Sequence, residues 1–143
     1  MQGGNLTEAQ LRQYHQSAWS SLREGDLDLA WKKSRVLKAK VPGFAPGWEI
    51  SSKVALAMNR REDALNLIDR ALIIDAGRFS FLSHKAHCLL GLQRLDDVIT
   101  LLDKLKVHDL KHAAEFDALG NLYSLCKDHS RALEYFEKAV ELE

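Results

Sequence analysis

Two histidines in one predicted helix, His84 and His87, have types and a spacing that could support chemistry. Residues three apart share a helical face, so the pair could bind a metal ion or transfer a proton. This spacing is also common in helices that do neither, and a polar surface explains the pair better. We therefore predict no metal site and no bound cofactor. His108 and His112 are four residues apart, but a predicted turn separates them.

Known catalytic signatures are absent from the sequence. Asp96 and Asp97 are adjacent acids, but they stand at a predicted helix start, where carboxylates stabilise the exposed amides. There is no phosphate-binding glycine loop ending in Lys-Ser/Thr, and no G-x-S-x-G, H-E-x-x-H or C-x-x-C motif. Cys88 and Cys126 lie in different predicted helices and are expected to be buried thiols. The chain is therefore predicted not to be an enzyme.

The charge of the chain is balanced, with 20 Lys plus Arg against 20 Asp plus Glu in 143 residues. A balanced charge gives no reason to expect binding to nucleic acid or to an anionic membrane, and we predict neither. No apolar run is long enough for a membrane span, and no export signal is evident, so the expected location is cytoplasmic. The charges do form two clusters, which we interpret as solvated faces, with electrostatic docking as the alternative. These clusters are Lys32, Lys33, Arg35, Lys38 and Lys40, and Glu134, Glu137, Glu141 and Glu143.

The elements that position these residues repeat every 34 residues. Each repeat predicts a helix, a short turn and a second helix, with a small residue in each helix where the two would cross. A close crossing needs small side chains, so Gly120 is expected to face Ala132 in the last repeat. One such pair cannot bury its apolar side alone, and stacked copies share a core. The recurring places, small except for one valine, are Ala18, Ser52, Ala86 and Gly120 in the first helices and Ala30, Ala64, Val98 and Ala132 in the second.

A 34-residue period of this kind resembles the tetratricopeptide repeat (TPR) family. The resemblance implies an all-α fold, a right-handed α-solenoid of four helix–turn–helix units with about eight helices. We expect a single domain over residues 1–143, with repeats at about 11–44, 45–78, 79–112 and 113–143 and an N-terminal extension at 1–10 that includes the start of the first helix. Thr7 and Gln10 are predicted to cap that helix, and Gly25 to form the first turn. The predicted helices span about 7–23, 27–40, 45–58, 62–74, 78–90, 95–106, 113–125 and 130–142.

In TPR arrays the first helices of successive repeats line a concave groove that binds extended peptides or partner helices. The resemblance therefore implies a protein- or peptide-binding scaffold. Trp19 would be the aromatic anchor of this groove, or alternatively it packs within the first repeat. Carried onto this chain, the groove is lined by His15, Trp19, Arg23, Glu49, Lys53, Ser83, His84, His87, Asp117 and Asn121.

A narrower resemblance covers about one repeat. Residues 117–142 are similar to the TPR region that precedes a sulfotransferase domain in some bacterial proteins; they read DALGNLYSLCKDHSRALEYFEKAVEL. The alternative function is therefore a non-catalytic N-terminal TPR arm of a larger bacterial enzyme. Its catalytic domain would lie beyond Glu143.

The last predicted helix has more apolar surface than one neighbouring helix can cover. Leu133, Phe136 and Val140 form a stripe in addition to the one that faces its own repeat. We expect this stripe to be covered either by further chain or by self-association of the protein, which would make it a homo-oligomer.

Overall fold

The computed structural model describes residues 6–105 and 109–143. These residues form eight α-helices and no strand, which confirms the all-α class. The predicted bounds agree to within one residue except at the end of the sixth helix. The helices are α1 Glu8–Arg23, α2 Leu27–Lys40, α3 Ala45–Ala57, α4 Arg61–Ile74, α5 Phe79–Gly91, α6 Leu95–Asp103, α7 Ala113–Leu125 and α8 His129–Glu141.

The sixth helix is shorter than predicted. It ends at Asp103, because the amides of Lys104 and Leu105 bond to carbonyls only three residues back, at 3.3 and 3.1 Å. Such tight bonds close a helix with a 3₁₀-like turn. The expected end at Lys106, and the His108 of the second histidine pair, lie outside the described residues.

The predicted cap at the start of α1 is present. The backbone amide of Gln10 donates to the Thr7 hydroxyl at 3.1 Å, and the Thr7 amide donates to the Gln10 side chain at 2.9 Å. This reciprocal capping box satisfies two amides that the helix itself leaves unbonded.

The turn between the two helices of each repeat is the same in all four repeats. Residues 34 apart, Gly25, Asn59, Gln93 and Lys127, have φ values of +82°, +64°, +60° and +65°. In each case the next amide bonds to a carbonyl five residues back, at 2.8–2.9 Å, which is the Schellman termination of a helix. The place of Lys127 therefore has the same left-handed backbone as Gly25, although only glycine adopts that conformation without strain.

Two compact units make up the chain, one ending at Phe81 (unit 1) and the other spanning Leu82–Glu143 (unit 2). The division falls near the predicted boundary between the second and third repeats. The prediction of a single domain stays a prediction.

In unit 1, helices α1 to α4 pack around a core to which α1, α2 and α3 contribute Ala18, Ala30, Leu37, Ile50 and Val54, all fully buried. Small residues allow the close crossing of α3 and α4, where the Ser52 hydroxyl donates to the Ala64 carbonyl at 2.6 Å. Between α1 and α2, the Lys33 ammonium donates to the buried Ser21 hydroxyl at 2.7 Å.

In unit 2, α7 and α8 cross at Gly120. The nearest atoms to a Cβ placed on Gly120 would belong to the Phe136 ring, and not to Ala132 as expected. The missing side chain of Gly120 therefore accommodates an aromatic ring from α8.

A second contact of unit 2 ties α6 to both of these helices. The Tyr123 hydroxyl donates to Asp103 Oδ1 at 3.1 Å, and Arg131 forms an ion pair with the same oxygen. Burial raises the pKa of Tyr123 to about 12. The hydrogen bond with Arg131 opposes that rise, and Asp103 adds to it. Tyr123 therefore stays protonated and keeps donating at neutral pH.

Candidate functional site

The predicted groove residues of unit 1 lie on two helices that contact each other, α1 and α3. Residues four apart share a helical face, which places His15, Trp19 and Arg23 along one side of α1. Glu49 and Lys53 are related in the same way on α3.

Trp19 is held in place by its neighbours. Its indole N–H donates to His15 Nε2 at 3.0 Å, and the Lys53 ammonium lies 5.5 Å from its ring centre. The His15 ring in turn meets the Phe44 ring edge-on at 5.4 Å between centroids. Trp19 is half-buried against the core of unit 1, so it packs within its repeat and also remains partly accessible.

Glu49 is a carboxylate with only 8% of its surface exposed. Burial raises its pKa, and the positive charges of Lys53 and Arg78 oppose that rise. The carboxylate makes no direct hydrogen bond or ion pair with the residues that the structure describes. It is therefore a largely buried acceptor whose charged form Lys53 and Arg78 favour.

The electrostatics of His15 favour its neutral form. Burial lowers the pKa of His15, and Arg78 lowers it further. A neutral His15 has an acceptor nitrogen, which is what the hydrogen bond from Trp19 requires.

An open hollow of about 600 Å³ lies on α1 next to these residues. It is lined by Gln16, Trp19, Ser20 and Arg23. Arg23 is exposed, so an accessible cation stands at the end of this helical face.

Sequence reasoning missed two residues of this cluster, Phe44 and Arg78. Both come directly before a first helix, and they are 34 residues apart. The repeat period could therefore have indicated them as equivalent places. Nothing in the local sequence signals that both would approach His15.

The predicted groove residues of unit 2 lie on α5 and α7. Ser83 is half-buried, and His87, Asp117 and Asn121 are exposed. His84 is only 5% exposed, with its Nε2 3.5 Å from the sulfur of the buried Cys88. A ligand therefore has better access to His87 than to His84.

No group of three or more potential metal ligands occurs in the described ranges 6–105 and 109–143. Within those same ranges, none of the helices combines the length and the apolar character that crossing a membrane requires.

The predicted self-association stripe on α8 is only partly accessible. Leu133 and Val140 are 59% and 68% exposed. Phe136 is half-buried and its ring lies over Gly120. The outer surface of the stripe therefore consists of the two aliphatic residues.

Neither a protein-family model nor a curated protein sequence matches the chain. Solved structures do match it. A thermophilic TPR protein of Thermus thermophilus has a TM-score of 0.78 and 20% identity, over 90% of this chain and 72% of that one. The structure of Pseudomonas aeruginosa PilF has a TM-score of 0.78 and 21% identity, over 93% of this chain and 61% of that one. MamA from Desulfovibrio magneticus has a TM-score of 0.69 and 16% identity, over 93% and 75% of the two chains.

At these identities the matches bear on the fold alone. They give no support to the sulfotransferase resemblance, which stays a prediction. The eight helices, their 34-residue period and these structural matches together show that the chain has the fold of tetratricopeptide repeat proteins.

Proposed function

We propose that the chain is a protein-interaction module that binds a peptide, or an extended segment of a partner protein, through the groove helices. Trp19, Glu49 and Lys53 are its central contacts in unit 1. The observation that carries this proposal is the fixed position of Trp19, which His15 and Lys53 hold from two sides while part of the ring stays accessible. An aromatic side chain that is ordered before binding loses little entropy when a ligand arrives. Such residues often dominate the binding energy.

Glu49 indicates what the ligand offers to this site. A buried carboxylate without a direct partner gains from any donor that reaches it. An additional cation would be repelled by Lys53 and Arg78, whereas a neutral N–H donor would not. The backbone amides of an extended peptide are donors of this kind. Glu49 is therefore proposed to accept a hydrogen bond from the ligand backbone.

The experiment is a selection of peptides from a random displayed library, followed by titration of the peptides that bind. In a Trp31→Phe, Trp48→Phe background Trp19 is the remaining tryptophan, and its fluorescence should change on binding. Trp19→Ala should weaken binding about thirtyfold and Lys53→Ala about tenfold, as is usual for anchor residues. Lys104→Ala is the control, because Lys104 is exposed, lies outside the groove helices, and its loss should leave the peptide affinity unchanged.

Two results would contradict the proposal: a failure to select any peptide, and selected peptides that bind Trp19→Ala as tightly as the unchanged protein. The predicted contacts in unit 2 are tested in the same titration with Asn121→Ala and His87→Ala. Weaker binding in both variants would support their role.

The alternative, a TPR arm of a larger bacterial enzyme, depends on the resemblance of residues 117–142 alone. It is compatible with the same peptide groove. Sequencing the gene downstream of this chain decides it, since the alternative requires a sulfotransferase domain there.

A further inference from the structure

The outward face of α2 combines basic and apolar residues. Lys32 and Arg35 are exposed, and neither makes an ion pair within the described part of the chain. Beside them, Leu29 and Val36 are 41% and 36% exposed. An open hollow of about 630 Å³ lies on this face, lined by Lys32, Arg35, Val36, Lys38 and Ala39.

Aromatic rings order the cations that border this face. Lys38 lies between two tryptophans, 5.2 Å from the ring centre of Trp31 and 5.3 Å from that of Trp48. Arg60 lies 5.8 Å from the Trp31 ring and Arg70 lies 4.7 Å from the Trp48 ring. Since cations already occupy these rings, the rings are not available to stack on nucleic-acid bases. The face therefore suits an acidic protein surface better than a nucleic acid.

The outward face of α8 has the opposite charge. Glu134, Glu137 and Glu141 are exposed at spacings of three and four residues, and none makes an ion pair within the residues described. The exposed Leu133 and Val140 lie alongside them. Both helices thus present one charged strip and one aliphatic strip. The charged strip is mainly basic on α2, where it also holds Asp28, and mainly acidic on α8, where Lys138 lies beside it.

The order of the strips also matches. Viewed from the N-terminus of each helix, the aliphatic strip lies clockwise of the charged strip on α2 and counter-clockwise of it on α8. Two helices that pack side by side and parallel bring the clockwise edge of one against the counter-clockwise edge of the other. In that arrangement the aliphatic strip of α2, Leu29 and Val36, meets the aliphatic strip of α8, Leu133 and Val140. The basic residues of α2 meet the glutamates of α8.

We propose that the α8 face of one copy of this chain docks in parallel on the α2 face of a second copy. The contact is heterologous, so each copy carries one face of each kind and association continues beyond a dimer unless the arrangement closes. In this contact the α2 face of a second copy covers Leu133 and Val140. It does not depend on the peptide groove.

The experiment measures mass against concentration by sedimentation, in reducing buffer because the chain has two free thiols. One variant carries Lys32→Glu with Arg35→Glu, and another carries Glu134→Lys with Glu137→Lys. Each alone places like charges opposite each other, and we expect association to weaken at least about tenfold. An equimolar mixture of the two variants restores opposite charges at both contacts, so it should associate as the unchanged protein does.

Arg12→Glu with Lys104→Glu is the control, since it changes the net charge as the α2 variant does but at exposed places outside both faces. Circular dichroism confirms that each variant is folded. A protein that stays monomeric at millimolar concentration overturns the proposal. So does association that survives both reversals, or a mixture that does not recover. If the contact instead joins two α8 faces, Lys32→Glu with Arg35→Glu leaves association unchanged, and that result also overturns the proposal.

Discussion

Gly120→Ala tests the crossing of α7 and α8 most directly. A Cβ at this place would lie 2.5 and 2.6 Å from two atoms of the Phe136 ring and 3.0 Å from a third. Overpacking of this kind costs about 1–3 kcal/mol. Replacing glycine by alanine inside a helix contributes about 1 kcal/mol in the other direction. We therefore expect a net loss of about 0–2 kcal/mol in the free energy of unfolding.

The sign of the effect should reverse when the ring is shortened. In the third repeat the equivalent places hold Ala86 and Leu102, so alanine is compatible with leucine there. In a Phe136→Leu background, Gly120→Ala should therefore stabilise the protein by about 1 kcal/mol, the gain in helix propensity alone.

A double-mutant cycle measures this coupling by chemical unfolding of the four proteins, followed by ellipticity. Because the chain has two units, unit 2 can unfold in a separate transition, and its own midpoint is the quantity to compare. We expect a coupling energy of about 1–3 kcal/mol between the two places. Equal stabilisation by Gly120→Ala in both backgrounds would refute the reasoning, because it would mean that the Phe136 ring moves aside without cost.

Three further predictions concern unit 1. Gly25→Ala should lower the free energy of unfolding by about 1 kcal/mol, because Gly25 has a φ of +82° in otherwise open space. Gly43→Ala should raise the free energy of unfolding by about 0.4–1 kcal/mol, because Gly43 is equally open but lacks a positive φ. Thermal melts in which both variants shift the melting temperature in the same direction would contradict the turn geometry. Folding lowers the pKa of His15, so at a pH just below about 6.5 the unfolded chain binds more protons than the folded one. The free energy of unfolding should therefore fall as the pH decreases below about 6.5. His15→Gln should flatten this slope in unfolding followed by tryptophan fluorescence, which reports on unit 1, and an unchanged slope would exclude His15 as its source.

Local chemistry carried much of the fold prediction. The 34-residue period, the Thr7 cap and the small residues at the helix crossings predicted eight helices, and seven of them have the expected bounds to within one residue. Capping and helical periodicity act over a few residues of chain, and the 34-residue period repeats the same pattern along the chain, so all three can be recognised without knowing the packing. Of the four left-handed turns, the sequence predicted only the one at Gly25. The left-handed backbone at Asn59, Gln93 and Lys127 was not predicted, because no glycine marks those places.

The candidate groove was less accessible to prediction. The period placed Trp19 and Lys53 on first helices, but it could not show that the Lys53 ammonium lies over the Trp19 ring. Nor could it show that Glu49 is buried beside them without a direct partner. Those facts depend on distances between α1 and α3. The sequence likewise gave no reason to expect Phe44 and Arg78 near His15.

The helices, the Thr7 cap and the Gly25 turn could be predicted without the packing, because capping, helical periodicity and turn geometry are local. Tertiary packing was needed to show that Gly120 accommodates Phe136, and that Lys38, predicted to lie on a solvated face, is half-buried between two tryptophans. Both depend on side chains from different helices meeting at a particular height and angle. Packing across helices sets that height and angle, and no spacing within one helix encodes them.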